Sequence, residues 1–164
     1  MIAHSYIQLG KSMNPKLLHN LSWMPLFVIG LSAVVLGISW LLAGEPWLND
    51  RAANEAALGM TFDKLFAAEV NATLPDYLTI IYRFFGLWVF TIGGLICSYV
   101  LITFMGTTRA RNTILVILGV FFVFLLALEY IFIPISPFIF LTYGLIAVYL
   151  VSLWASFKLN KKET

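Results

Sequence analysis

Long apolar runs separated by short polar segments are the dominant pattern of this chain. Four runs stand out, at residues 24–43, 78–104, 113–133 and 138–157. Each is close to the roughly 20 residues that an α-helix needs to cross a bilayer. The pattern therefore predicts an all-α fold, an integral membrane four-helix bundle that forms a single domain over residues 1–164.

The composition supports this class. The chain is 61% hydrophobic and 11% charged, whereas soluble domains are about 45–50% apolar and about 25% charged. The single cysteine, Cys97, excludes an internal disulfide and a two-cysteine redox site. The sequence has no phosphate-binding loop, zinc-protease helix, calcium loop or Ser-His-Asp set. We therefore expect no catalytic residue, no metal, no cofactor and no nucleic-acid partner.

The charges between the runs predict the orientation. Residues 44–77 contain six acidic and two basic side chains, whereas the other segments are basic. Because positive loops stay in the cytoplasm, both termini are expected there, in a cell (inner or plasma) membrane, with residues 44–77 outside. We interpret the acidic side chains of this outer loop as a solvated face.

The outer loop also carries helix signals. Pro46 can open a helix that runs to about residue 58, and Thr61 can cap a second helix that runs to about residue 70. We expect two short amphipathic helices that cover the outer face of the bundle as a lid.

The first 20 residues leave two alternatives, an amphipathic surface helix or a frayed tail. A break is expected at Asn14 and Pro15, where asparagine can cap the next helix and proline can occupy its first position.

Small residues recur at helical spacing in all four runs, which lets helix backbones approach closely. In the second run, Arg83 shares a face with Gly86 and Gly93, so this face is expected to point into the bundle. The glycines expected to pack against other helices are Gly30, Gly37, Gly86, Gly93, Gly94, Gly119 and Gly144.

Arg83 and Glu129 are charged residues inside apolar runs. An arginine in hydrocarbon costs at least about 2.5 kcal/mol, so Arg83 is expected to snorkel, to meet an anion or to line a wet cavity. The two residues lie at comparable depths on helices that the short second link makes antiparallel neighbours. The sequence predicts an Arg83–Glu129 ion pair, with hydroxyls from Tyr82, Tyr130 and Tyr77 nearby.

Three roles for this pair remain open. It can be a structural clamp between two helices, or it can line a polar cavity beneath the lid. Such a cavity would bind an anionic lipid headgroup, a quinone or a small polar ligand. Proton-coupled transport through Glu129 is the third alternative.

The sequence RFFG from Arg83 to Gly86, followed by Gly93 and Gly94 and a basic second-to-third loop, resembles the small bacterial DoxX-like membrane proteins and their uncharacterised relatives. The resemblance implies a small inner-membrane protein with four helices, in some members linked to redox partners. It assigns no catalytic residue to this chain.

These observations together predict a non-enzymatic accessory subunit or a lipid- or small-ligand-binding module. The alternative is a small transporter or membrane enzyme that uses an outer-leaflet Arg83–Glu129 site. The expected partners are membrane lipids and either a larger membrane complex or further copies of the same chain.

Overall fold

The computed structural model describes residues 14–163, with side chains described for residues 14–161. All regular elements in this part of the chain are helical, and two short 3-10 helices span Pro46–Asp50 and Glu69–Asn71. The α-helices are α1 (Pro15–Leu42), α2 (Arg51–Leu58), α3 (Phe62–Ala67), α4 (Leu74–Thr103), α5 (Thr108–Phe132) and α6 (Phe138–Glu163). Four of them, α1, α4, α5 and α6, are long and apolar enough to cross a membrane. The predicted all-α fold with four candidate spans is confirmed, and these helices indicate a multi-pass membrane protein.

Helices α1, α4 and α5 begin earlier than their apolar runs do, whereas α6 begins with its run at Phe138. The side chain of Asn14 accepts a hydrogen bond of 2.9 Å from the backbone N–H of Lys16, and Pro15 occupies the first turn. This predicted cap is confirmed, but α1 continues from it without a break to Leu42. The other N-terminal prediction, a surface helix or tail, falls mainly on residues 1–13, outside the described residues. In α5, Thr107 caps the helix by accepting from the backbone N–H of Ala110.

The helices do not pack in chain order. Helix α1 packs along both α4 and α6, while α5 packs mainly along α6. Each of these pairs is antiparallel. Because a short link joins them, the second and third spanning helices are expected to be direct neighbours. In the structure α1 occupies the place beside α4, so this expectation is corrected.

Glycines explain why α1 and α4 form the closest pair. A Cβ atom on Gly93 would lie 2.6 Å from the carbonyl oxygen of Gly30, and one on Gly86 would lie 2.9 Å from that of Gly37. These distances are shorter than any ordinary carbon–oxygen contact, so only glycine permits the observed approach. This arrangement follows the principle that small residues bring membrane helices together.

The other predicted packing glycines lie in different surroundings. A Cβ atom on Gly94 or Gly144 would meet no atom within 4 Å. The Cβ position of Gly119 lies 2.8 Å from the hydroxyl of Tyr149 on α6. The structure therefore places Gly94 and Gly144 outside close helix contacts, which corrects the prediction for both.

The two ends of the bundle differ. We call the end that carries residues 43–73 the segment end, and the opposite end, with the 104–107 turn, the terminal end. The main apolar core lies toward the terminal end and draws on α1, α4, the 104–107 turn and α5. Its buried members are Leu26, Ile29, Val100, Met105, Ile114, Leu115, Leu118 and Phe122.

Residues 43–73, the connecting segment, are folded over the segment end. The ring of Trp47 is buried and packs against the rings of Phe62 and Phe66. The predicted helix from Pro46 is divided into a 3-10 helix and α2, and the predicted helix after Thr61 ends at Ala67. The expected cap at Thr61 is confirmed, since its hydroxyl accepts from the backbone N–H of Lys64.

Candidate functional site

Arg83 and Glu129 are not brought together. Arg83 is exposed on α4, whereas Glu129 is buried on α5 with 4% of its surface accessible. The ion pairs found among the described residues are both made by Arg51. The predicted Arg83–Glu129 ion pair is therefore corrected.

The helix geometry gives the reason. The glycine stripe of α4 faces α1, and Arg83 lies three residues before Gly86, about 60° around the helix from that stripe. Because α1 packs beside α4, the face that bears Glu129 meets α6 instead.

Glu129 lies inside an apolar span with a single hydroxyl as its partner. Its Oε1 accepts a hydrogen bond of 2.7 Å from the hydroxyl of Thr142 on α6. Its Oε2 is buried and has no hydrogen-bond partner. Buried polar atoms are nearly always hydrogen-bonded, so an unpartnered carboxyl oxygen marks a position that can accept a further donor.

A second buried carboxyl lies at the same end of the bundle. Asp50, at the end of the first 3-10 helix, is 8% exposed, and its Oδ2 accepts 2.7 Å from the hydroxyl of Ser136. Its Oδ1 is buried without a partner. The hydroxyl of Ser136 in turn accepts from the backbone N–H of Phe138, at the start of α6.

This contact joins the connecting segment to the α5–α6 turn. The interpretation of the loop acids as a solvated face is therefore wrong for Asp50.

The predicted tyrosines separate into different surroundings. The hydroxyl of Tyr82 accepts 3.0 Å from the side-chain amide of Asn54, which ties α4 to α2. The hydroxyl of Tyr130 contacts that of Tyr143, one residue along from the Glu129–Thr142 pair. Tyr77 is exposed.

We call Asp50, Glu129, Ser136 and Thr142 the segment-end polar site. It presents two carboxyl groups, each with one oxygen bound to a hydroxyl and one oxygen unpartnered. Such oxygens can accept N–H or O–H donors of a ligand, or one of them can carry a proton. Within the described part of the chain, no group of three or more His, Cys, Asp or Glu side chains could hold a metal ion.

Of these four residues, only Glu129 was predicted from the sequence to belong to a site. Asp50 resembled the other acids of its loop, because its burial depends on a contact across 86 positions of the chain. Ser136 and Thr142 are small hydroxyl residues of a kind that membrane helices and turns commonly contain. The sequence gives one weak indication that Ser136 has a role in the turn: it is a polar residue between Pro134 and Pro137 in an otherwise apolar stretch.

Comparisons with models of protein families, with curated proteins and with solved structures found no match. The resemblance to the DoxX-like group stays a prediction. The functional interpretation consequently rests on the site described above.

Proposed function

We propose that the protein is a non-enzymatic membrane protein that serves as an accessory subunit or as a lipid- or small-ligand-binding module, with the segment-end polar site as its binding site. The observation that carries this proposal is the unpartnered Oε2 of Glu129 within a membrane-length helix. Ionisable residues inside spans are costly, and they commonly mark ligand or ion sites.

The chemistry of the site favours a ligand that donates hydrogen bonds. Glu129 and Asp50 each offer a free carboxyl oxygen, and Thr142 and Ser136 already use their protons to bind the other two oxygens. An amine or hydroxyl group of a lipid headgroup, or of a small polar molecule, would supply the missing hydrogen bond of either carboxyl group. Arg83 does not lie beside Glu129, so the site has two carboxyl groups and no cation. An anionic ligand is therefore less well matched to this site.

Native mass spectrometry of the full chain, purified in mild detergent, tests this proposal. We expect the wild type to retain a small molecule that Glu129→Leu loses, while Glu45→Leu, which changes an exposed carboxylate of the same end, retains it. The apolar replacement removes a buried carboxyl with one unpartnered oxygen, so Glu129→Leu should unfold at the same or a higher temperature than the wild type. Equal retention by wild type and Glu129→Leu would assign Glu129 a structural role instead.

The same carboxyl also supports a second candidate, proton-coupled transport. A membrane-embedded carboxyl that can exchange its proton is the usual element of such a pathway. In reconstituted vesicles, coupled transport predicts that a pH gradient collapses through the wild type when the transported solute is supplied, and that it persists without the solute or with Glu129→Gln. A binding module leaves the gradient unchanged in both.

We also propose that both termini lie in the cytoplasm of a cell-membrane protein and that the connecting segment lies outside as a lid. The support is the acidic character of residues 44–77 and the basic character of the other segments. A cysteine in place of Ala57, which is exposed on α2, in a Cys97→Ala background should react with an impermeant thiol reagent on intact cells. Reaction only after lysis would contradict this orientation.

A further inference from the structure

A groove lies between α5 and α6 near the terminal end, on the opposite side of the membrane from the segment-end polar site. Its volume is ≈ 350 Å³, within the range of small-molecule sites. It is lined by Asn112, Leu115, Val116, Gly119, Tyr149, Leu153, Ser156, Phe157 and Asn160.

The groove is polar at its mouth and apolar in its depth. At the mouth the side-chain amide of Asn160 donates 3.1 Å to that of Asn112. Gly119 lies seven residues further along α5, which places it about 10 Å deeper at 1.5 Å per residue. At this depth the groove wall is formed by Gly119, Val116 and Tyr149, whose hydroxyl lies 2.8 Å from the Cβ position of Gly119 and donates 2.9 Å to the carbonyl oxygen of Leu115. This gradient matches the boundary between a lipid headgroup and its acyl chain.

One polar atom of the groove lacks a partner inside the protein. Ser156 is 1% exposed, and its hydroxyl oxygen is buried with no hydrogen bond. Ser156 lines the groove one turn from Asn160. A hydroxyl in this position can donate to a phosphate or ester oxygen, which would supply the missing bond.

The surroundings of the mouth are cationic. Arg109 and Lys161 are exposed within one turn of Asn112 and Asn160 on their helices, and the buried guanidinium of Arg111 donates 2.9 Å to Asn160. Residues 14–22, 104–113 and 154–161 of this end contain no Asp or Glu, and Glu163 follows at the last position of α6. Basic pockets between membrane helices bind anionic lipid headgroups.

We propose that this groove binds one anionic glycerophospholipid. Its phosphate lies at the mouth among Asn112, Asn160 and the cations, Ser156 donates to a phosphate or ester oxygen, and an acyl chain follows Val116 past Gly119. This site goes beyond the segment-end polar site and does not depend on it.

Native mass spectrometry with defined lipids tests the groove. The full chain in mild detergent is given equal amounts of phosphatidylglycerol and phosphatidylcholine. The wild type should retain one molecule of phosphatidylglycerol in preference to phosphatidylcholine. Val116→Trp fills the groove from an exposed position and should reduce retention about tenfold, equivalent to roughly 1.4 kcal/mol. Val123→Trp is the matched control, because Val123 lies two turns deeper on the same face, outside the groove lining, and is 68% exposed against 65% for Val116.

Two results would overturn the proposal. Equal retention of phosphatidylglycerol by Val116→Trp and Val123→Trp would show that the lipid does not occupy the groove. A double variant, Arg109→Gln with Lys161→Gln, should lose the preference for phosphatidylglycerol while its binding of phosphatidylcholine stays the same. Persistence of the preference would contradict the headgroup assignment.

Glu129→Leu should leave phosphatidylglycerol retention unchanged, so failure of the segment-end site and failure of the groove are separate outcomes.

Discussion

Individual buried polar residues join parts of the chain that the apolar core alone would not fix. Arg111 is the clearest case, with 1% of its surface exposed. Its guanidinium donates 3.0 Å to the carbonyl oxygen of Met105 and 3.1 Å to the hydroxyl of Thr108, in addition to its bond to Asn160. It therefore connects the 104–107 turn to α6.

The turn needs such support because two of its residues adopt the left-handed backbone region. Phe104 has a φ of 44° and Met105 a φ of 55°. This conformation is unfavourable for residues other than glycine and costs on the order of 1–3 kcal/mol each. Burial of the Met105 side chain in the core and the bond from Arg111 to its carbonyl hold the turn in place.

Arg111→Gln should consequently destabilise the fold, whereas Arg109→Gln should not. Loss of the guanidinium removes the Arg111 donor from the buried carbonyl oxygen of Met105, and an unsatisfied buried group of this kind costs about 1–3 kcal/mol. Thermal unfolding in detergent should show a clear fall in midpoint for Arg111→Gln and a change close to zero for Arg109→Gln, whose side chain is exposed. Equal effects would mean that Arg111 acts only as a surface charge. The sequence could not distinguish the two arginines, which lie two positions apart in the same basic link.

At the scale of elements, the contact between α1 and α4 organises the bundle. Gly86 and Gly93 of α4 face Gly37 and Gly30 of α1 across a spacing that excludes any side chain. The small-residue spacing in the sequence identified these four residues. It could not show that Gly94, adjacent to Gly93, points away from every other helix.

The pair Gly93 and Gly94 therefore makes a matched test. Gly93→Ala forces its methyl group against the backbone of α1, and overpacking of this kind costs about 1–3 kcal/mol. Gly94→Ala meets open space and removes a helix-weakening glycine, so stability should stay the same or rise by up to about 1 kcal/mol. Thermal or denaturant unfolding in detergent measures both, and a loss of stability in Gly94→Ala equal to that in Gly93→Ala would refute the packing described.

The connecting segment is held by charges that its composition alone does not reveal. The Glu55 carboxylate accepts 3.0 Å from the backbone N–H of Phe62 and 2.8 Å from Arg51, which also reaches Asp63. The hydrogen bond from Phe62, followed by the bond and charge of Arg51, lowers the pKa of Glu55 below its ordinary value. These contacts join α2 to the start of α3.

A lowered pKa gives a definite pH dependence. The stabilisation by Glu55 is present above its unfolded-state pKa of about 4.3 and is lost as the pH falls through the lower folded-state pKa. Hydrogen exchange at the Phe62 amide, corrected for intrinsic exchange rates, should show strong protection at neutral pH that declines in the acidic range below about pH 4. In Glu55→Gln this decline should disappear, with weaker protection at neutral pH. Constant protection of the wild type across this range would contradict the role of Glu55.

For the whole molecule, hydrophobic patterning was sufficient to predict the class but not the neighbours of each helix. Four apolar runs predicted four membrane-length helices because bilayer thickness sets their length. The order of packing depends on which faces fit, and here the glycines of α4 fit α1 rather than α5.

The prediction of an Arg83–Glu129 ion pair depended on the assumption that consecutive helices are neighbours. Because α4 packs along α1 instead, the prediction was wrong. Asp50, Ser136 and Thr142 were missed for a related reason. Their partners lie on other elements, and nothing in their local sequence specifies those contacts.

The most direct test of this arrangement compares two cysteine pairs that share one position. In a Cys97→Ala background, Glu129→Cys is combined either with Thr142→Cys or with Arg83→Cys, and a short bifunctional thiol reagent is applied to membranes. Mass spectrometry of the digested protein should find the cross-link between residues 129 and 142, and none between residues 83 and 129. Efficient cross-linking of residues 83 and 129, with none between 129 and 142, would contradict the packing order and the segment-end polar site built on it.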